Sequence, residues 1–242
     1  PISFMRPNGL YEFMFRRVVP YAIKGFLYYQ GESDAHRPLL YDNLLEALIR
    51  NWREDFGDPE LPFLYVQLPS FGCDGRPDDE DWALLRESQA MVAERVPGTA
   101  MAVAIDLGER DDIHPRDKAP VGDRLARLAL DRVYGIPTIC EGPVFEEMRV
   151  LDGGEAEIRF RCSGELRTRD GAPPAGFELR GEDGRWVAAE ARLAGGGRVL
   201  LRADGVPRPA AARYAFRNDT PANLTDNSGL PAAPFRTVRE GR

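Results

Sequence analysis

Over roughly the first 137 residues, short apolar runs take turns with amphipathic ones. Phe26-Leu27-Tyr28-Tyr29, led in by Pro20 and Gly25, reads as a short buried strand over residues 25–29. Residues 39–53 place apolar side chains at Leu40, Tyr41, Leu44, Leu45, Leu48, Ile49 and Trp52 with charge on the other face. That spacing predicts a helix, stopped by Gly57-Asp58-Pro59. Pro62 and Pro69 bound a second strand, Trp82 to Val96 a second helix ended by Pro97-Gly98, and Thr99 to Asp106 a third strand. Pro115 suits the first position of a further helix reaching Tyr134 and closed by Gly135 and Pro137. Ahead of all this, Leu10 to Val18 is amphipathic and reads as a short helix or an irregular connector. Alternating strands and helices predict an α/β class with a parallel sheet covered on both faces.

Beyond residue 137 the period changes from that of helices to that of strands. Ala156 to Cys162, Gly176 to Arg180, Trp186 to Ala188 and Arg198 to Arg202 alternate apolar with polar residues, and Gly-rich turns separate them. Gly181-Glu182-Asp183-Gly184 reads as a hairpin loop. The expectation is two domains, an α/β domain over 1–137 and a small antiparallel, sandwich-like β domain over 138–242, with an irregular tail from about Asn218 able to fold back on the first.

With 242 residues and 43% hydrophobic content the chain can bury real cores. No run approaches the ~20 apolar residues of a membrane helix, so a soluble protein with no membrane partner is expected. A net charge of −7 without a basic block argues against nucleic acid. Cys73, Cys140 and Cys162 form neither a CxxC pair nor an even set, so they leave the compartment open, a secreted or periplasmic one included. The chain opens on Pro1-Ile2-Ser3-Phe4-Met5, and the expectation is a piece of a longer polypeptide.

Chemistry gathers in two turns, each following an apolar run. Gln30-Gly31-Glu32-Ser33-Asp34-Ala35-His36 succeeds the first strand, and Asp111-Asp112-Ile113-His114-Pro115 follows the third, about eighty residues on. Open α/β sheets bind their ligands at the carboxyl ends of strands. Asp111, three residues before His114, can sit beside the imidazole and fix its tautomer, leaving the other nitrogen to accept a proton from a hydroxyl. Gln30 offers a neutral amide donor suited to an oxyanion, and Glu32 a second carboxylate. These are the ingredients of acyl transfer. Asp106, Asp111, Asp112 and His114 bring too few histidines for a hydrolytic metal, and no metal or cofactor is expected. A surface capping pair is the bland alternative for Asp111 and His114. Arg86 and Gln89, one helical turn apart, either reach the sheet edge or form a solvated pair.

Lys24-Gly25-Phe26-Leu27-Tyr28-Tyr29-Gln30-Gly31-Glu32-Ser33-Asp34-Ala35 resembles the Tyr-Gln-Gly-Glu-Ser block of the sialate O-acetylesterase family, among the SGNH-like carbohydrate esterases. Phe63 to Leu68, the Asp106-Leu107-Gly108 turn, Asp111 to Pro115, Asn223-Leu224 and Gly229 to Thr237 resemble its later blocks in the same order. The resemblance implies a flavodoxin-like hydrolase sheet that removes acetyl groups from sugar hydroxyls. His114 would be the base, Gln30 an oxyanion-hole donor, and Glu32 or Asp111 the acid orienting His114. Gly31, Ser33 and His36 would border an acetylated carbohydrate substrate.

The family's nucleophile lies in a Gly-Gln-Ser-Asn block, and none of Ser3, Ser33, Ser70, Ser88, Ser163 and Ser228 has that context. The expected partner is therefore an N-terminal fragment of the same protein that carries the nucleophile. Two alternatives stand. Gly31-Glu32-Ser33-Asp34-Ala35 nearly fits the Gly-x-Ser-x-Gly elbow of α/β-hydrolases, with Ser33 as nucleophile, but Ala35 replaces the final glycine. The other is a carbohydrate-binding relative without catalysis.

Overall fold

A computed structural model describes residues 6–19, 21–72 and 80–239. Ser3, Cys73 and most of the expected loop from Gly72 to Asp81 lie outside these. The strands β1 (Phe26–Tyr28), β2 (Phe63–Val66) and β3 (Thr99–Ala102) form a parallel sheet in the order β1-β2-β3. Phe26 stands opposite Phe63, and Leu64 opposite Ala100.

The alternation of side chains along a strand sorts the helices onto two faces. Phe63 and Tyr65 point to one face, where they share a core with Tyr41, Leu45 and Ile49 of α2 (Pro38–Asp55) and with Leu85 and Val92 of α3 (Asp81–Arg95). Leu64 and Val66 point to the other, against Leu128 and Val121 of α4 (Ala119–Arg132). Ahead of the sheet, α1 (Gly9–Phe13) and a 3₁₀ turn over Phe15–Arg17 hold the chain to α2, the Phe15 ring stacking on Trp52 at 4.4 Å. No described helix is long and apolar enough to cross a membrane.

β1 is the uneven member. Phe26 and Tyr28 are walled in by Trp52 and Phe63, but Leu27, on the face that α4 covers for the other strands, is 66% exposed. Its outer edge pairs with no other strand among the described residues.

The remaining strands are β4 (Val144–Val150), β5 (Ala156–Arg161), β6 (Arg167–Thr168), β7 (Phe177–Arg180), β8 (Trp186–Ala188), β9 (Glu190–Leu193), β10 (Arg198–Arg202), β11 (Ala211–Tyr214), β12 (Leu224–Thr225) and β13 (Phe235–Arg236). They make two four-stranded antiparallel sheets, β4-β5-β10-β9 and β13-β11-β7-β8, and the pair β12-β6. The inward residues of both larger sheets, Ile158 and Leu201 from one, Leu179 and Tyr214 from the other, belong to a single core that Ile105 joins from beyond β3.

Three elements differ from the sequence pattern. The last helix of the α/β part begins at Ala119, with Pro120 rather than Pro115 in its first turn. The preceding backbone N–H groups are already engaged: His114 N donates to Asp112 Oδ1 at 2.8 Å, Arg116 N to Glu109 Oε1 at 2.7 Å and Ala119 N to Asp117 Oδ1 at 3.2 Å. Carboxylates that capture backbone donors hold the chain in turns and delay the helix. β4 escapes the alternation rule because a bulge between Phe145 and Glu147 shifts its register, so that Phe145 and Met148, three apart, both turn inward. β11 is buried throughout, and its one charged residue, Arg213, is paired with Glu178 at 2.7 Å rather than turned to solvent.

Candidate active site

Both chemical turns leave the carboxyl ends of parallel strands, and so lie at one edge of the sheet. The first is a 3₁₀ turn over Glu32–Asp34, with Asp34 N donating to Gly31 O at 2.9 Å. A Cβ on Gly31 would stand 2.9 Å from Leu85 Cδ2 and 3.1 Å from Leu68 Cγ, so only glycine lets this turn lie so close to α3 and the end of β2. The second turn is held by the Glu109 and Asp112 bridge and by the Asp112 contact to the His114 backbone. Ala35 of the first turn and Ile113 of the second pack on the same apolar cluster.

Gln30 is the most constrained of the site candidates. Its Oε1 accepts from Tyr28 Oη at 3.2 Å and Tyr41 Oη at 3.1 Å, and its Nε2 donates to Asp34 Oδ2 at 2.8 Å. Its carbonyl accepts from Tyr41 Oη at 2.9 Å and Gln89 Nε2 at 3.2 Å. Gln89 also donates to Val66 O and accepts from Leu68 N, joining the ends of β1 and β2. Of the two alternatives for Arg86 and Gln89, the structure selects burial at the sheet edge.

Glu32 is half-buried beside these phenols. Burial, then the Asp34 and Glu32 charges, pushes the Tyr28 hydroxyl up to about 12; burial and the Glu32 charge do the same for Tyr29, also to about 12. Tyr41, more deeply buried, is raised further. All three phenols stay protonated at neutral pH, and those of Tyr28 and Tyr41 donate to Gln30. Lys118 Nζ lies 5.1 Å from the Tyr29 ring centroid, a second link between the first turn and the segment after His114.

His114, Asp111, Ser33 and His36 are exposed. In this arrangement neither Asp111 nor Glu32 hydrogen-bonds the His114 ring; the carboxylate that touches His114 is that of Asp112, through the backbone. The sequence pattern also does not disclose Tyr28, Tyr41 and Asp34 as the frame around Gln30, nor the cluster in which Ser70 Oγ donates to Asp219 Oδ1 at 2.9 Å and Arg110 pairs with Asp219 at 2.8 Å. No periodicity signals contacts across 149 residues.

The turn after β3 is fastened by a bidentate pair, Arg124 to Asp106 at 2.6 and 2.7 Å, with Arg124 also donating to Val103 O. Charged hydrogen bonds in so sheltered a place are strong. Asp106→Asn is expected to cost about 2 kcal/mol of folding stability, read from urea midpoints at constant m. A shift below a quarter of that would mean that solvent replaces the pair.

Comparison with known proteins places this geometry. A family model described as carbohydrate esterase, sialic acid-specific acetylesterase, matches residues 1–131, more than half of the chain and a span that contains both turns. The chain belongs to this family. Among curated carbohydrate esterases it is 35% identical to human sialate O-acetylesterase over 160 residues and 32% identical to the mouse protein over 163, covering 59% and 60% of this chain. A solved carbohydrate acetylesterase from Xanthomonas citri superposes with a TM-score of 0.86 at 40% identity over 96% of this chain. The chain spans about 30% of the length of those two curated esterases and 54% of the Xanthomonas chain. The architecture is accordingly an α/β sheet of the SGNH-like esterase type joined to antiparallel β sheets.

Proposed function

We propose that these residues form part of a serine-type carbohydrate O-acetylesterase acting on acetyl esters of sugar hydroxyls. The observation that supports the reading is the placement of both polar turns after the carboxyl ends of parallel strands, with Lys118, just past the His114 turn, lying 5.1 Å from the ring of Tyr29 beside Gln30. In the proposed reaction the His114 imidazole accepts the proton of a serine hydroxyl as that oxygen attacks the acetyl carbonyl. Gln30 Nε2 donates to the oxyanion. Collapse breaks the bond to the sugar oxygen, which takes the proton from His114 and departs as the free hydroxyl, leaving an acetyl-enzyme that water cleaves to acetate. Asp111 or Glu32 orients the imidazolium once substrate excludes solvent from the two turns. Gly31, Ser33 and His36 border the sugar.

The serine itself we assign to polypeptide outside these 242 residues, in the N-terminal part of the same protein. Support comes from the faces at β1: parallel strands are ordinarily covered by helices on both faces, whereas Leu27 is 66% exposed and Leu40 and Leu44 of α2 are each 53% exposed. A further strand and helix carrying the nucleophile would cover such surfaces. Ser88 is excluded by its burial and its bond to Pro38 O.

Treatment with a fluorophosphonate probe followed by peptide mapping tests this. Label is expected on a serine outside the 242 residues. Label on Ser33 would overturn the assignment in favour of an elbow nucleophile, and sugar binding without labelling would favour a non-catalytic relative.

A further inference from the structure

Gln30 can serve an oxyanion only if its amide nitrogen, not its oxygen, faces the substrate. An amide turned by half a rotation has nearly the same shape and would put an acceptor where a donor is needed. Two kinds of neighbour decide the orientation here. The Asp34 carboxylate, which can only accept, stands 2.8 Å from Nε2. On the opposite side two phenols supply protons to Oε1, Tyr41 at 3.1 Å and Tyr28 at 3.2 Å. Tyr41 is 2% exposed, and its single proton is shared between Oε1 and the Gln30 carbonyl; a reversed amide would take Oε1 from both phenols and set it against the Asp34 carboxylate. Asp34 takes one of the two Nε2 protons, and the second is left for the substrate. The Tyr41 hydroxyl also reaches the Gln30 carbonyl at 2.9 Å, so one buried group fixes backbone and side chain together.

We propose that Tyr41, assisted by Tyr28, is a positioning residue that holds the Gln30 amide nitrogen outward as the donor to the acetyl carbonyl oxygen. The inference rests on the reading of Gln30 as that donor, and a double-mutant cycle separates the two. In the enzyme that carries the fluorophosphonate label, Gln30→Ala is expected to lower kcat by about 100-fold. Tyr41→Phe is expected to lower kcat about tenfold with KM within about twofold, and to add less than about twofold in the Gln30→Ala background. Tyr28→Phe, which removes one of the two phenols, should show the same pattern more weakly.

Equal losses from Tyr41→Phe in both backgrounds would make Tyr41 merely structural and overturn the proposal. So would an unchanged kcat in Tyr41→Phe while Gln30→Ala is impaired. An unimpaired Gln30→Ala would instead remove the Gln30 reading and the proposal with it. On the 242-residue chain alone, the side-chain amide protons of Gln30, identified by their loss in Gln30→Ala, should exchange with water at least about tenfold faster in Tyr41→Phe, since exchange follows local opening. An unchanged exchange rate would likewise overturn the positioning role.

Discussion

In the enzyme that carries the nucleophile, His114→Ala is expected to lower kcat/KM for acetyl ester hydrolysis by about three orders of magnitude or more while leaving the fold intact, because a general base in acyl transfer cannot be bypassed by the remaining groups. The ring is exposed and its backbone, not its side chain, is what the structure uses, through the 2.8 Å contact to Asp112. Thermal unfolding should therefore be the same within error. The kinetic and structural roles are cleanly separable at this position. Retention of more than about a tenth of wild-type kcat/KM would reject His114 as the base. A binding module would keep its affinity for acetylated sugar and show no turnover to lose.

Arg86→Met is expected to destabilise the chain by about 4 kcal/mol, the largest stability effect predicted here. Arg86 lies on α3 with its guanidinium fully buried, and it donates to Pro69 O and Asn218 O at 3.4 Å, to Ala215 O at 3.3 Å and to Arg217 O. One side chain thus satisfies carbonyls from the end of β2 and from residues 215–218, more than 125 positions away. Methionine keeps much of the volume but offers no donor, so Ala215 O and Arg217 O would lose theirs, while Pro69 O keeps Trp82 Nε1 and Asn218 O keeps Phe71 N. The same region is joined by Trp82 N to Asn218 Oδ1 and Phe71 N to Asn218 O, and these contacts should loosen together. Urea unfolding gives the measurement; a loss below about 1 kcal/mol would mean that water enters and replaces the guanidinium.

Much of the fold was legible along the chain. The helical repeat is α2, and Tyr41, Leu45 and Ile49 of it are the apolar face it buries, while Leu40 and Leu44 of the same repeat stay 53% exposed. The run from Phe63 to Val66, apolar at every position, is the central strand of a sheet with helices on both faces, where neither side chain phase meets water. The return of the tail to the α/β part was likewise open to expectation from its irregular composition, and the Ser70, Arg110 and Asp219 contacts realise it.

Illegible elements share one cause: their determinants are not periodic. The bulge in β4 puts two inward residues three apart, and the carboxylates of Glu109, Asp112 and Asp117 defer α4 past Pro115 by taking backbone donors. The frame around Gln30 is similar, since Tyr41 and Gln89 lie on separate helices, 11 and 59 residues from it.

What the sequence determined by itself, then, is the order of strands and helices over the α/β part, the two turns that carry polar groups, and the residue types available there. Those depend on local period and on which side chains can donate, accept or carry charge. Only the tertiary structure decided that Ala35 and Ile113 share one cluster, that Asp112 rather than Asp111 holds the His114 turn, and that two phenols and a carboxylate orient a single amide. Such contacts join residues whose distance along the chain bears no relation to their distance in space, and packing alone brings them within reach.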